Sequence, residues 1–340
     1  MNTPLKRLIL CASLLLVFLV AYNFAIARHS ATTQRRQLLA KIASMPVQTD
    51  CIFLGNSLVE AGCDLDAFRS AWSQRGDGLH PVNLALGATS TVEHYLILKH
   101  SLKRSSHLKY LIYGFFDDQM NAPSRGEWAD LIGNRALSYY FAEDAAALYA
   151  PGSRLKRAQF EITRCIPMLA ERSSPWGQVE MLRRAMEDVG MPPGKTNRYG
   201  RVDDFKKLEA TDLKSFSQRC ESALSRGVPF SAPIQGIILL AQEHGAKVIL
   251  VEMPMPSRHR QIFYSSAGWK RMRKHLQELA RASGTYYVSA SDWVQDDTMF
   301  EDATHLNEVG AKNFSTRLAT AISRITSPET EVARRRPGAD

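Results

Sequence analysis

From residue 51 onward, short apolar runs alternate with segments whose apolar residues recur at helical spacing. Each run is bounded by glycine, proline or polar residues, as buried parallel strands usually are. Strands that alternate with helices in this way are typical of a doubly wound α/β fold. We therefore expect a flavodoxin-like parallel sheet. Its predicted strands are Cys51–Leu54, Val82–Leu86, Tyr110–Tyr113, Val248–Val251 and Tyr286–Ser289.

The segments between these runs carry recognisable helix signals. Ser90 begins a Ser-x-x-Glu capping box, and Asn307 is placed to cap the last predicted helix. Ser231 precedes a helix with Pro233 in its first turn, and Gly245 marks where that helix ends. These signals put helices where the predicted topology needs them.

Between residues 121 and 228 the alternation of strand and helix is lost. A structureless loop of that length is implausible inside a compact domain, so we predict a mostly helical insertion at 121–228. The α/β domain then consists of 49–120 and 229–326. The polar tail at 327–340 is predicted to be disordered.

The amino-terminal segment is apolar and free of charge over residues 8–27. About 20 such residues suffice to span a bilayer, whereas Ala25-Ile26-Ala27 also fits the cleavage rule of signal peptides. We predict a signal-anchor or signal peptide at 1–27, with the uncleaved anchor favoured, and a stalk at 28–48. The expected location is the bacterial cytoplasmic membrane, crossed once through residues 8–27, with the catalytic domain on the periplasmic or extracellular side.

Composition excludes wholesale disorder, because the 340 residues are 45% hydrophobic and 23% charged. The 43 basic residues outnumber the 34 acidic ones, which gives a net charge of +9. Such a surplus invites a nucleic-acid interpretation, but no nucleic-acid-binding motif accompanies the densest basic run, at 258–274. We predict a solvated helix face and no nucleic-acid partner, with contact to anionic lipid or polysaccharide as the alternative.

The five cysteines include no Cys-x-x-Cys pair, which argues against zinc ribbons and redox motifs. In an exported domain Cys51, Cys63, Cys165 and Cys220 could pair or stay reduced. The three histidines between residues 94 and 107 are not spaced to share one helix face, and no His-x-x-x-His motif exists. We therefore predict neither a metal site nor a cofactor.

Two short blocks carry residues that could act together. The block FLGNS follows the first predicted strand: Gly55 permits a tight turn and Ser57 stands at the strand's carboxyl end. The block DATHLN precedes the last helix, with Asp302 three residues before His305. A serine nucleophile needs a neighbouring base, and a carboxylate can orient the imidazole that serves as that base. Each block alone also fits an ordinary turn or helix flank.

A third block, NLALG, follows the second predicted strand and ends at Gly87. A glycine there can present its backbone N–H to an oxyanion without a side chain in the way, although glycine after a strand is often merely a turn. In open parallel sheets the site forms outside the carboxyl ends of the strands. The order of the three blocks, each beside a strand end or the last helix, is more specific than any block alone.

With these blocks the chain resembles the SGNH (GDSL-type) hydrolase superfamily. The resemblance covers roughly residues 51–118 and 231–325 and leaves the insertion unexplained. It implies that Ser57 is the nucleophile, His305 the base and Asp302 the partner that orients His305.

The oxyanion hole implied by the resemblance consists of the backbone N–H groups of Ser57 and Gly87. The family's third block, Gly-x-Asn-Asp, departs from its pattern here, because the chain reads GFFD and places Phe116 where the asparagine is expected. Loss of one oxyanion donor costs on the order of 10²–10³ in rate, so either the chain is a poor hydrolase or another group supplies the donor. The candidates for oxyanion or substrate support are Asn56, Asn121 and Asp117.

A membrane-anchored domain of this kind with an altered third block is similar to envelope proteins that transfer acyl groups to exopolysaccharide, such as the alginate O-acetylation proteins. It is also similar to the D-alanyl transfer protein of teichoic acid synthesis. The resemblance implies a polysaccharide or other acylated envelope substrate and a membrane-bound O-acyltransferase as partner. We expect Ser57 to transfer an acyl group, most simply acetyl, to a sugar hydroxyl. The alternatives are a carbohydrate esterase or lipase-like hydrolase, and a non-catalytic envelope scaffold.

Overall fold

The computed structural model describes residues 3–30, 34–74, 78–87, 89–105, 107–117, 119–120 and 213–327, with single residues and short pieces between 144 and 203. The chain divides into two compact units. One contains Met1–Ala40 and Arg125–Met191, and the other contains Lys41–Ser124 and Pro192–Asp340. The second unit holds all of the predicted α/β domain.

The first unit begins with helix α1, Thr3–Ser30. Within it Pro4–Ala25 has a mean hydropathy of 2.4, and none of its most apolar window is buried. This helix is long and apolar enough to cross a membrane, as predicted. A signal sequence has the same length and composition, so both alternatives for the amino terminus stay open.

The second unit is built on a parallel sheet of five strands in the order β2-β1-β3-β6-β7. Counting only these five along the chain, the order is 2-1-3-4-5, the flavodoxin-like order, which confirms the predicted fold class. A separate antiparallel hairpin joins β4 to β5. The described strands are β1 Cys51–Leu54, β2 Pro81–Asn83, β3 Tyr110–Phe115, β4 Thr196–Asn197, β5 Gly200–Arg201, β6 Lys247–Glu252 and β7 Tyr286–Ser289.

Of the five predicted strands, β1 and β7 begin and end at the predicted residues. The second strand is shorter than the predicted Val82–Leu86, because regular pairing stops at Asn83. The chain nevertheless stays beside β1: Leu84 N donates to Phe53 O at 2.8 Å and Leu86 N to Gly55 O at 3.3 Å. The apolar run therefore marks an extended segment that outlasts the strand itself.

The predicted helix signals are confirmed. The Glu93 carboxylate accepts from Ser90 N at 2.8 Å, and Asn307 Oδ1 accepts from Gly310 N at 3.0 Å. Gly245 follows its helix with φ +77°. The remaining described helices are α2 Gln34–Ala43, α3 Ser57–Gly62, α4 Leu65–Ser73, α5 Thr91–Leu102, α6 Leu213–Ser225, α7 Ala232–Glu243, α8 Ser257–His259 continuing as a π turn over Arg260–Tyr264, α9 Ala267–Ala282 and α10 Glu308–Ile325.

The core forms where these helices cover the sheet. All four residues of β1 are fully buried, as expected for a central strand of a parallel sheet. Helix α10 packs on α3 and α4, and α7 packs on α5. Between sheet and helix, the Phe53 and Phe68 rings meet edge to face with centroids 4.9 Å apart. The sheet is therefore a rigid base for whatever stands at its carboxyl edge.

Most of the predicted insertion lies outside the described residues. Its described parts include the β4–β5 hairpin and α6, and the boundaries given for the insertion and the tail stay predictions. Cys11, Cys51 and Cys63 are free thiols, and Cys165 is outside the described residues.

Part of the basic run at 258–274 is neutralised locally. Arg271 is paired with Glu221, and Arg273 donates to the buried Glu252 carboxylate. Lys274 is largely exposed, 3.9 Å from Glu278. Arg271 and Lys274 agree with the predicted solvated helix face, whereas Arg273 is turned to a buried carboxylate and does not.

Strands β1 and β3 approach closely at the point where Ser57 is positioned. A Cβ atom added at Gly55 would lie 2.8 Å from Gly114 O and 2.5 Å from Val59 Cγ2. A carbonyl of a central strand cannot move aside as the end of a flexible side chain can. Only glycine therefore fits at position 55.

We expect Gly55→Ala to lower the free energy of unfolding by about 1–3 kcal/mol, the usual cost of overpacking a core. Gly78→Ala is the control, because a Cβ at that position meets nothing within 4 Å. Denaturant unfolding of both variants measures the difference. Equal stability of the two would show that the β1–β3 approach is not constrained as described.

Candidate active site

Ser57 stands at the carboxyl edge of the sheet. Strand β1 ends at Leu54, Gly55 makes the turn and Ser57 is the first residue of α3. Asn56 caps this helix, since its Oδ1 accepts from Leu58 N at 3.0 Å. Asn56 was a predicted candidate for oxyanion support. Its carbonyl oxygen is used by the cap, so the amide NH₂ is the donor that its side chain can offer.

His305 and Asp302 lie in the loop before α10 and reach Ser57 across the fold. His305 Nε2 is 2.9 Å from Ser57 Oγ, although the two residues are 248 positions apart. His305 Nδ1 is 2.8 Å from one Asp302 carboxylate oxygen and 3.0 Å from the other. The structure thus brings together the three residues that the sequence blocks predicted.

The Asp302 carboxylate also shapes the loop that carries His305. Its Oδ1 accepts from the backbone N–H groups of Thr304 and His305, each at 2.8 Å. With the carboxylate accepting from Nδ1, the ring proton is placed on Nδ1 and Nε2 is left as the acceptor for the Ser57 hydroxyl. The His305 and Asp302 side chains are 3% and 0% exposed, so water does not compete for these contacts.

One further contact was not foreseen from the sequence. Asn197 Nδ2, in strand β4, donates to Asp302 Oδ2 at 2.7 Å. Asn197 lies in the predicted insertion, where no motif singles it out. Part of that segment therefore supports the histidine–aspartate pair directly.

These contacts set the ionisation of Asp302. Burial acts to raise the pKa of this carboxyl group, but hydrogen bonds and charge attraction from His305 together with the Asn197 hydrogen bond outweigh it and lower the pKa from 3.8 to about 2. Asp302 is therefore an anion throughout the neutral range. An anion at this place stabilises the imidazolium that forms when His305 takes up a proton.

The predicted oxyanion donor Gly87 is already engaged. Its backbone N–H donates to Glu60 Oε2 at 2.7 Å. The same block also ties β2 to α3, because Asn83 Nδ2 donates to Val59 O at 3.2 Å while Asn83 Oδ1 accepts from Ala85 N at 2.9 Å. The block NLALG is thus an ordered turn joined to α3 by hydrogen bonds, and the Gly87 amide in it is bound to the Glu60 carboxylate.

The altered third block leads to a second aspartate–histidine pair. Asp117 has φ +47°, the one positive φ found among the described non-glycine residues. Its carboxylate lies 2.9 Å from His259 Nε2, and its backbone N–H donates to the Tyr264 hydroxyl at 3.1 Å. Asp117, predicted as substrate or oxyanion support, is thus bound to His259 and Tyr264. Asn121 lies outside the described residues.

Within the described part of the chain, no group of three or more His, Cys, Asp or Glu side chains is arranged to hold a metal ion. The histidine at 94 belongs to the core instead. Its ring is fully buried between the Thr89 hydroxyl and the Tyr113 hydroxyl, each 2.9 Å from a ring nitrogen.

The pKa of Asp302 leads to a stability prediction. Because its pKa is lower in the folded than in the unfolded chain, Asp302 contributes stability above about pH 4, and this is lost as the pH falls toward 2. The contribution is about 2 kcal/mol. We expect the free energy of unfolding of Asp302→Asn to fall less over this range than that of the unsubstituted chain. The free energies of unfolding of both proteins are measured by denaturant titration at pH 5, 4 and 3. Equal losses of stability in the two proteins would show that the lowered pKa of Asp302 is not the cause.

The Asn197 contact leads to a kinetic prediction. Asn197→Ala removes a donor from the buried Asp302 carboxylate, and a hydrogen bond to a charged group is worth about 1.5–3 kcal/mol, or roughly 10- to 100-fold in rate. We expect acylation of Ser57 by 4-nitrophenyl acetate to slow within that range. The free energy of unfolding should also fall, because the same hydrogen bond stabilises the ionised Asp302 in the folded chain. Thr196→Ala, at the neighbouring position of β4, is the control and should keep its rate.

No protein-family model matches the chain, and no curated protein matches it. Among solved structures it is similar to a GDSL-like lipase from Bacteroides thetaiotaomicron, with 10% identity over 86% of this chain and 98% of that one and a TM-score of 0.37. It is also similar to a lipase/acylhydrolase from Enterococcus faecalis, with 13% identity over 82% and 98% and a TM-score of 0.34.

The fold is described from the chain itself. The sheet has five parallel strands in the flavodoxin-like order. The blocks FLGNS, NLALG and DATHLN follow one another in the family's order, at the carboxyl ends of β1 and β2 and before α10. The sheet therefore shows an α/β fold with the flavodoxin-like strand order, and the ordered placement of the blocks agrees with the resemblance to the SGNH (GDSL-type) hydrolase superfamily.

Proposed function

We propose that the chain is a serine acyl-enzyme of the cell envelope that transfers an acyl group, most simply acetyl, to a polysaccharide hydroxyl. One observation carries the proposal: Ser57, His305 and Asp302 form a continuous hydrogen-bonded series with contacts of 2.9 and 2.8 Å. This arrangement provides a nucleophile, a base and an orienting carboxylate, which is what acyl transfer through serine requires.

The first half of the reaction forms the acyl-enzyme. His305 Nε2 takes the proton of the Ser57 hydroxyl while Oγ attacks the carbonyl carbon of the acyl donor. The resulting oxyanion collapses, the bond to the leaving group breaks, and the leaving group takes the proton from His305. Asp302 stays ionised throughout and stabilises the transient imidazolium, consistent with its pKa of about 2.

The second half regenerates the serine. A sugar hydroxyl loses its proton to His305 Nε2 and attacks the acyl carbon of the acyl-serine ester. The new ester leaves, and Ser57 Oγ recovers the proton from His305. Water in place of the sugar would give the free acid, so transfer and hydrolysis differ only in the second nucleophile.

The amino-terminal helix supports an envelope location for this reaction. Helix α1 is long enough to span a bilayer, and its apolar side chains are exposed. An active site tied to the outer side of a membrane could not draw on cytoplasmic acyl donors by itself. A membrane-bound O-acyltransferase that hands the acyl group across the membrane is therefore the partner that this proposal requires.

A non-catalytic scaffold is the competing function that one observation favours. Phe116 stands in place of the family's oxyanion asparagine, and Glu60 holds the Gly87 amide. Without these two donors, the Ser57 N–H is the one family donor that the site still offers. The scaffold interpretation requires that Ser57 does not react at all.

Reaction at Ser57 separates these alternatives. We expect a fluorophosphonate probe to label the full-length chain in detergent, and 4-nitrophenyl acetate to leave an acetyl adduct visible by intact mass. Both signals should vanish in Ser57→Ala and persist in Ser73→Ala, which removes an exposed serine on α4. Absence of labelling in the unsubstituted chain would favour the scaffold.

A second measurement separates transfer from hydrolysis. In the presence of an uronic-acid polysaccharide, transfer predicts faster release of 4-nitrophenolate and acetyl ester recovered on the polymer. Unchanged release with acetate as the sole product would favour the esterase alternative.

A further inference from the structure

Glu60 lies on the same helix as Ser57, three residues later in α3. Residues at this spacing share one helix face, so the Glu60 side chain leaves α3 on the side of the nucleophile. Its Oε2 is 2.7 Å from Gly87 N. That is the distance at which an oxyanion-hole donor holds the developing oxyanion.

We propose that Glu60 is an internal competitor for the oxyanion hole: its carboxylate occupies the Gly87 N–H in the resting protein and must release it before Ser57 is acylated at the full rate. The inference rests on the proposed acyl-serine function and adds its regulation. Glu60 is not a catalytic residue in this scheme, since it acts through the availability of the Gly87 amide.

The resting contact is strong for identifiable reasons. A carboxylate accepting from an amide is a charge-assisted hydrogen bond, roughly twice as strong as a neutral one. Burial lowers the pKa of Lys41, and the negative charge of the nearby Glu60 partly opposes that lowering. The ammonium group of Lys41 is itself fixed by the Asn83 carbonyl. The Gly87 amide and the Lys41 ammonium group thus both stabilise the Glu60 carboxylate in its resting position.

The space into which Glu60 could withdraw is also defined. A cavity of about 400 Å³ is bordered by Glu60 and by Leu306, the residue after His305. Its lining includes three further carboxylates, those of Asp64, Glu301 and Glu308. Repulsion from these groups opposes withdrawal of an ionised Glu60. The occupied state is therefore favoured at rest, and a bound acyl donor must compete for the amide.

Displacement needs a ligand that binds the open state better than the closed one. The oxyanion formed at Ser57 is such a ligand, because it offers the Gly87 N–H another negatively charged acceptor. If Glu60 merely braced the turn at 84–87, shortening or neutralising it would loosen that turn and slow the reaction. The two roles predict opposite changes in rate.

Three variants of the full-length chain test the inference. Glu60→Gln removes the charge and weakens the hydrogen bond, whereas Glu60→Asp keeps the charge but withdraws it by one methylene group. Glu278→Gln is the matched control, since it removes an exposed carboxylate on α9 that does not border this cavity. Single-turnover acetylation by 4-nitrophenyl acetate is measured for each variant, with thermal unfolding to verify folding.

We expect both Glu60 variants to acylate Ser57 at least about 10-fold faster than the unsubstituted chain, within the ~10²–10³ that one oxyanion donor is worth. Glu278→Gln should keep the original rate. Equal or slower acylation in both Glu60 variants would overturn the inference, as would acceleration in Glu60→Gln alone, which would indicate a long-range charge effect. If no variant is acylated at Ser57, the proposed function itself fails, and that result is distinct from normal acylation without acceleration.

Discussion

The buried carboxylate of Asp302 accepts hydrogen bonds from the 304–305 backbone, the His305 ring and the Asn197 side chain, and the geometry of the site depends on them. The bonds from the backbone N–H groups of Thr304 and His305 fix the loop, and the bond from His305 Nδ1 orients the imidazole ring. The bond from Asn197 attaches strand β4 to the site. Removing the Asp302 charge would leave each of these donors inside the protein with a weaker acceptor. The loop, the imidazole tautomer and the hairpin therefore depend on a single ionisation state.

Much of the fold and part of the site follow from local patterns. Buried strands such as β1 are short apolar runs between turn residues, and Ser57 could be placed because it directly follows such a run. Contacts made by tertiary packing leave no such pattern. Asn197 is one asparagine in a segment without motifs, and Asp117 meets His259 across 142 positions. The Glu60–Gly87 contact depends on how α3 faces the turn after β2, which no spacing within either block encodes.

Three carboxylates lie near the carboxyl edge of the sheet: Glu60 after β1, Asp117 after β3 and Asp302 in the loop before α10. Each has its own hydrogen-bond partner. Asp302 is bound by His305, Asp117 lies against His259, and Glu60 accepts from Gly87. Negative charge near Ser57 disfavours the oxyanion that the proposed acyl transfer must form. Asp302 offsets this by stabilising the imidazolium. Glu60 offers no such compensation, so its charge lowers reactivity for as long as it holds the amide.

This difference bears on the choice between transfer and hydrolysis. An acyl-serine ester that awaits a sugar must survive in the presence of water, and attack by water also passes through an oxyanion. If Glu60 returns to the Gly87 amide after acylation, it slows both nucleophiles until something displaces it. A polysaccharide bound beside the ester can contribute binding free energy to that displacement, whereas a single water molecule cannot. An oxyanion hole closed by a side chain therefore suits an enzyme that must wait for its acceptor, and it would be a disadvantage to a hydrolase.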